Sequence, residues 1–238
     1  MTSGADERAG RRAPVALVTG GASGIGLAIV RRLARDGYAV VATDLPGAER
    51  ERAASDAGAG FVAADLTREG ECAAVVDAAV ALAGALDVLV CCAGYQHIDA
   101  IPDFPAARWR HMLELMLTAP FLLTKHAWPH LTASGRGRIV HVGSAHSLAA
   151  SPYKAAYVSA KHGLVGLART TALEGGPHGL TCNVVAPAYT RTPLVAAQVA
   201  DQARTRGLAE DAVEREVFLK AVAIKRLLEP EDVAALVA

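Results

Sequence analysis

The sequence predicts a doubly wound α/β fold, one domain built on a parallel sheet. Three observations predict it. Strand-like and helix-like segments alternate from end to end. The strand segments are continuous apolar runs, the pattern of strands buried on both faces by helices. Parallel neighbours need long crossovers, and the intervening helical segments supply them.

The elements follow in order. Val15 to Thr19 is a short apolar run ending in a Gly-rich turn. Ile25 to Asp36 carries apolar residues at helical spacing and stops at Gly37. Ala39 to Thr43 is the second strand and Phe61 to Ala64 the third. Cys72 to Leu82 is Ala/Val-rich and helical, and Leu86 to Cys91 is the fourth strand. A long helical stretch covers Ala106 to Leu131, then Arg138 to Val142 forms the fifth strand. Ala155 to Glu174 is a helix and Thr181 to Val185 the sixth strand. Residues 194 to 225 break the rhythm and read as two short helices, a helical substrate lid over about residues 190–225. Glu229-Pro230-Glu231-Asp232 starts a last helix, with proline near its first turn.

Composition narrows the function. The 238 residues are 52% apolar and 20% charged, with formal net charge zero. Such a chain has no bulk attraction for nucleic acid or an anionic membrane. No run of about 18 apolar residues exists, so no transmembrane helix is expected. Residues 1–12 are polar and charged without the apolar core of a secretory signal, and read as a loose tail before a domain at 13–238. Cys72, Cys91, Cys92 and Cys182 lack metal-ligand spacing. They read as reduced thiols of a cytoplasmic protein, with no metal site.

The turn after the first strand is Thr19-Gly20-Gly21-Ala22-Ser23-Gly24-Ile25-Gly26. Glycine there lets the backbone approach a pyrophosphate and lets the helix pack against the strand. The helix that follows aims its N-terminal N–H groups and dipole at the phosphates. Asp44 ends the second strand, 18 residues after Gly26. A carboxylate there accepts from both ribose hydroxyls and repels a 2′-phosphate, which favours NAD over NADP. No Arg or Lys lies in the Gly-rich segment or immediately after Asp44. Asp65 and Leu66 end the third strand, where the adenine edge falls.

Tyr157 and Lys161 lie four apart on one predicted helix and share a face. An ammonium near a phenol lowers the phenol pKa, which suits proton exchange with an alcohol or carbonyl oxygen. Ser144 ends the strand that feeds this helix, and its hydroxyl can bond the same substrate oxygen.

With these pieces the chain resembles the classical short-chain dehydrogenase/reductase family. The matching residues are Thr19–Gly26, Asp44, Asp65-Leu66, Ala93-Gly94, Ser144, Tyr157, Lys161, Asn183 and Pro187. The resemblance implies a Rossmann fold, with Tyr157 as acid/base and Ser144 orienting the substrate oxygen. It gives Lys161 two tasks, lowering the tyrosine pKa and holding the nicotinamide ribose. It places NAD on Gly20, Ser23, Gly24, Ile25, Gly26, Asp44, Asp65, Leu66, Ala93 and Gly94, then on Tyr157, Lys161, Pro187, Tyr189 and Thr192. It also implies a homo-oligomer, commonly a tetramer, assembled through the long helices near 106–131 and 155–174.

A closer likeness is to a bacterial branch of that family, the D-3-hydroxybutyrate dehydrogenases. It is carried by Gly94-Tyr95-Gln96-His97, His141 to Ser147, Lys154-Ala155-Ala156-Tyr157, and Thr192-Pro193-Leu194-Val195 with Gln198. It implies that Gln96, His146, Lys154 and Gln198 grip a substrate carboxylate. The chemistry stands on its own, since an ammonium one turn before Tyr157 can pair with an anion while His and Gln donate to it. Each residue alone also has an ordinary reading as a solvated or loop side chain. Two other functions stay open: a reductase of another small carbonyl or carrier-bound 3-oxoacyl group, and a weakly catalytic NAD-binding sensor or scaffold.

Four departures bear on these expectations. Cys91-Cys92 stand where the family has two asparagines, and thiols cannot replace amide hydrogen bonds. Met116 stands where the family has an asparagine that holds a relay water. Ala188 follows Pro187 where glycine is usual. The sequence ends at Ala238, before the final strand of the family, so either the sequence stops short or an uncovered edge and weaker oligomer are expected.

Overall fold

A computed structural model describes residues 12–238. Six parallel strands run β1 (Val15–Thr19), β2 (Ala39–Asp44), β3 (Ala59–Ala63), β4 (Val88–Cys91), β5 (Arg138–Val142) and β6 (Thr181–Val185). Their spatial order is β3-β2-β1-β4-β5-β6. The order reverses at β1, so the loops after β1 and β4 part there and open a crevice at the carboxyl ends of the strands. Central β1 is buried at every position, whereas edge strands β3 and β6 are only partly covered.

Helices cover both faces. One face packs Leu17, Val41, Leu89 and Ile139 against α3 (Glu69–Ala83), α5 (Ala119–Ala133) and α6 (Ala155–Gly175). The other packs Val18, Val40, Val90 and Val142 against α1 (Gly24–Arg35) and α10 (Pro230–Val237). Alternate strand residues serve opposite faces, as the period of two requires. No helix among the described residues is long and apolar enough to cross a membrane.

Several boundaries differ from the sequence expectation, each for a local reason. α2 (Ala48–Asp56) carries little apolar surface and buries only Ala54, so it gives no periodic signal. The third strand begins at Ala59 because Ala59 and Gly60 pair with Val40 and Val41 of β2. The fourth starts at Val88, because Asp87 before it is an ion-pairing residue. The long stretch 106–131 is α4 (Ala106–Leu113), a π-helical turn at Glu114–Thr118, and α5. The lid is three short helices, α7 (Pro193–Ala196), α8 (Val199–Arg206) and α9 (Glu210–Val213), followed by a π-helical turn at Glu214–Phe218.

Most of the expected tail, residues 1–11, lies outside the described residues. Arg12, its last residue, is engaged instead of loose. Its guanidinium pairs with Asp87 at 2.5 Å, and Arg136 pairs with the same carboxylate at 2.9 Å. Burial raises the Asp87 pKa, but those guanidiniums and the Val15 N–H outweigh it and leave the carboxyl below its usual range. This cluster ties β1, β4 and the turn before β5 at the end of the sheet opposite the crevice.

Candidate active site

The residues predicted to act in catalysis or to hold substrate or cofactor line one cleft of about 980 Å³ at the carboxyl ends of the strands. Its walls come from the loops after β1, β2, β3, β4, β5 and β6, and side chains from α7, α8 and the segment after α9 wall one end.

The dinucleotide end is shaped by close backbone approach. Gly20 has φ +63°, and a Cβ there would sit 2.9 Å from Ala93 Cα. At Gly26 a Cβ would meet the Gly20 carbonyl oxygen at 2.0 Å, so only glycine allows the tight entry into α1. Ser23 precedes α1 in extended conformation, and its side chain makes no capping bond. The first-turn N–H groups of α1 are thereby left for an external acceptor. Thr192 packs its methyl over Gly24, 3.3 Å from where a Cβ would stand, and closes the cleft from the β6 side. These features fit a dinucleotide pyrophosphate.

Asp44 sits at the end of β2 and accepts from the N–H groups of Ala22 at 3.3 Å and Leu45 at 2.8 Å. Arg50 of α2 reaches back to the same carboxylate at 3.4 Å. The sequence shows no cation immediately after Asp44, but α2 folds one alongside it. Asp65 accepts from the hydroxyl and N–H of Thr67, which hold its carboxyl below the usual range. Leu66 is buried beside it.

The loop after β4 is tied to the end of β1 by a threonine hydroxyl. Thr19 Oγ1 accepts from the N–H groups of Cys92 at 3.0 Å and Ala93 at 3.1 Å. A backbone-to-hydroxyl tether thus holds the loop that carries Ala93 and Gly94 without any amide side chain. Met116 lies in the π-helical turn, fully buried, with its Sδ 3.1 Å from a Cβ position at Gly94. It packs with Met112, Ala156 and Ala160 beneath Tyr157, so this place is a dry apolar contact.

Ser144, Tyr157 and Lys161 converge at the centre. Ser144 caps the short helical turn Ala145–Ser147, with its Oγ accepting from His146 N–H at 3.1 Å. Lys161 is buried on α6, donates to the Val142 carbonyl at 2.7 Å and lies 5.5 Å from the Tyr157 ring centroid. Burial pushes the Lys161 ammonium down to about 8 and the Tyr157 phenol up to about 12, against the opposing pull of the Ser144 hydroxyl. Among the protein groups alone, burial thus sets the direction of the phenol's shift, while the Lys161 ammonium is bonded to the Val142 carbonyl.

Beyond Tyr157 lies a cationic pocket. Lys154, at the start of α6, is 2% exposed and donates to Tyr189 Oη at 3.1 Å and Gln198 Oε1 at 3.1 Å. Burial, then the charge of Arg206, lowers its ammonium to about 8. Gln198 is fixed by its own donation to the Leu194 carbonyl at 3.0 Å. His146 bonds Ser151 Oγ at 2.8 Å through Nε2 and faces Ser144 Oγ at 3.3 Å through Nδ1. Burial and then Lys154 push the imidazole down to about 4, so it stays neutral at pH 7. Gln96 lines the same space, its Oε1 accepting from the His97 N–H at 3.0 Å. Gln198 and His146 thus lie close to the buried Lys154 ammonium, and Gln96 lines the same cleft.

Sequence reasoning passed over Arg50 and Arg206, which gain their positions only when α2 and α8 fold back over the cleft. Neither carried a motif signal. It named His141 on β5 only as part of a resemblance and gave it no role of its own. That residue is fully buried, with neither ring nitrogen partnered, and burial pushes it down to about 4.

Comparison with known proteins agrees with the geometry. The family model described as short chain dehydrogenase matches residues 14–203. The D-beta-hydroxybutyrate dehydrogenase of Rhizobium meliloti is 41% identical over 228 residues, covering 93% of this chain and 88% of that protein. The enzyme of the same name from Cupriavidus necator is 38% identical over 226 residues, with 93% and 88% covered. The cis-4-hydroxycyclohexanecarboxylate dehydrogenase of Sinomonas cyclohexanicum is 40% identical over 229 residues, with 94% and 87% covered. With its six-stranded parallel sheet and Gly-rich crevice, this chain belongs to the short-chain dehydrogenase family and is an oxidoreductase acting on a CH–OH group.

Proposed function

We propose that the protein interconverts D-3-hydroxybutyrate and acetoacetate, with NAD as the hydride carrier. The observation that carries this reading is Lys154, a buried ammonium with no carboxylate partner among the described residues, opening onto the cleft that holds Ser144 and Tyr157. A buried unpaired cation costs folding energy unless an anion offsets it, and a substrate carboxylate is the fitting anion.

Bound NAD supplies the hydride acceptor, and the residues of this chain do the rest. Gly20 to Gly26 would hold the pyrophosphate, and Asp44 would hold the adenosine ribose. Lys154, Gln198, His146 and Gln96 fix the carboxylate, which sets the carbinol carbon beside Ser144 and Tyr157. Ser144 donates to or accepts from the substrate oxygen. Tyr157 takes the hydroxyl proton during oxidation and returns it during reduction. Lys161, held by Val142, supplies positive charge next to the phenolate as it forms. A phenol at about 12 needs that help.

Asp44 supports NAD over NADP, and Arg50 softens that preference. The half-exposed Phe121 of α5 and the exposed Leu173 of α6 support assembly through these helices, as in a tetramer. The reading places the enzyme in the cytoplasm, where its free thiols stay reduced.

Replacing Tyr157 by Phe tests the catalytic part. Turnover falls by about a thousandfold or more while NADH binding, read by fluorescence, stays within about twofold. A Tyr157→Phe protein that keeps its turnover overturns the assignment.

A further inference from the structure

We propose that Arg206 is a second cationic contact for the substrate's anionic end, carried on the lid and held over the site by Tyr153. This rests on the hydroxy-acid reading and adds to it a residue that decides specificity.

The geometry begins with Tyr153. It is the one non-glycine residue with positive φ, +69°, among the described residues. A bulky residue in that region is strained and persists only where its surroundings hold it. Two contacts do so. The Asp99 N–H donates to the Tyr153 carbonyl at 3.0 Å. The Arg206 guanidinium lies over the Tyr153 ring, 5.3 Å from its centroid. The strained residue immediately precedes Lys154, so the same contact that holds Tyr153 sets Arg206 beside the buried ammonium.

Arg206 is fixed at one further point. Its Nε donates to Gln202 Oε1 at 2.9 Å, one turn earlier on α8. Gln202 is itself fully buried, so the guanidinium is braced from beneath. Its two terminal nitrogens make no hydrogen bond and no ion pair to any described residue, and Arg206 is one of the residues that line the cleft. The carboxylate at this end of the cleft, Glu216, is taken by Arg215 at 2.9 Å. Arg206 and Lys154 thus share one wall with nothing acidic set between them. Like charges held together repel, and a substrate carboxylate between them relieves the repulsion. Lys154 meets Tyr189 from the loop after β6 and Gln198 at the start of α8, which accept from it, and it is electrostatically coupled to His146 from the turn after β5 and to Arg206 of α8.

The test compares D-3-hydroxybutyrate with its uncharged methyl ester, in wild type, Arg206→Gln and Arg206→Lys. Wild type favours the acid. Arg206→Gln lowers the acid-to-ester ratio of kcat/KM by about tenfold, and Arg206→Lys restores much of it. A second readout is the pH at which acid binding fades as Lys154 loses its proton. Removing Arg206 raises the Lys154 pKa, so in Arg206→Gln that alkaline limb moves to higher pH even as binding weakens. A role limited to packing α8 does not move it. An unchanged acid-to-ester ratio with the limb at its wild-type pH overturns the proposal. A wild type that prefers the ester overturns the hydroxy-acid reading instead, so the two failures are distinct.

Discussion

Lys154 donates to Gln198 across 3.1 Å, joining the start of α6 to the lid through two buried side chains 44 residues apart in sequence. The bond makes lid position and anion binding one event. Replacing Lys154 by Ala removes the cation and frees the lid contact together. KM for the hydroxy acid is expected to rise by about 10- to 100-fold, with a smaller effect on kcat. Steady-state kinetics at saturating NAD checks this. Equal losses for acid and neutral ester contradict it.

Asp44 and Arg50 predict opposite changes in cofactor choice. Asp44→Ala removes the carboxylate that repels a 2′-phosphate and lowers NADH-over-NADPH affinity by about tenfold or more. Arg50→Ala leaves Asp44 unneutralised and raises the same ratio by severalfold. The Arg50 side chain is 45% exposed, so water and salt screen its share and keep it the smaller effect. Fluorescence titration with both cofactors measures each ratio.

His141 makes stability depend on acidity. Its folded pKa, about 4, lies below the ordinary 6.5, so the unfolded chain binds the proton first. Stability from this group is complete above pH 6.5 and is lost as pH falls toward 4, by on the order of 3 kcal/mol. Denaturant unfolding from pH 7 to 4.5 is expected to show the loss, and His141→Leu to reduce it. An identical acid slope in that variant removes His141 as the cause.

The sheet was legible because β1, β2, β4 and β5 each carry an apolar run, interrupted in β5 only by Arg138 and the buried His141 and in β2 only by its last two residues. Asp44, Ser144 and Tyr157 were legible because each sits at a fixed place relative to a strand or helix end. α2 was not, since a helix that buries only Ala54 has no apolar stripe to read. Arg206 was not, since its role depends on the stacking of α8 against Tyr153, a contact without sequence periodicity. The direction of the Tyr157 shift was also hidden. Spacing gives the proximity of Lys161, whereas the shift follows from how much water the packed site excludes.

The most direct test of the central claim is NADH formation, followed by the absorbance of the reduced nicotinamide. Purified protein is supplied with NAD and D-3-hydroxybutyrate, with the L-isomer and NADP run alongside. Rapid turnover of the D-isomer with NAD, and little with the L-isomer or NADP, is the result predicted. NADH binding without turnover of either isomer would contradict the assignment and leave a dinucleotide-binding protein with another substrate or none.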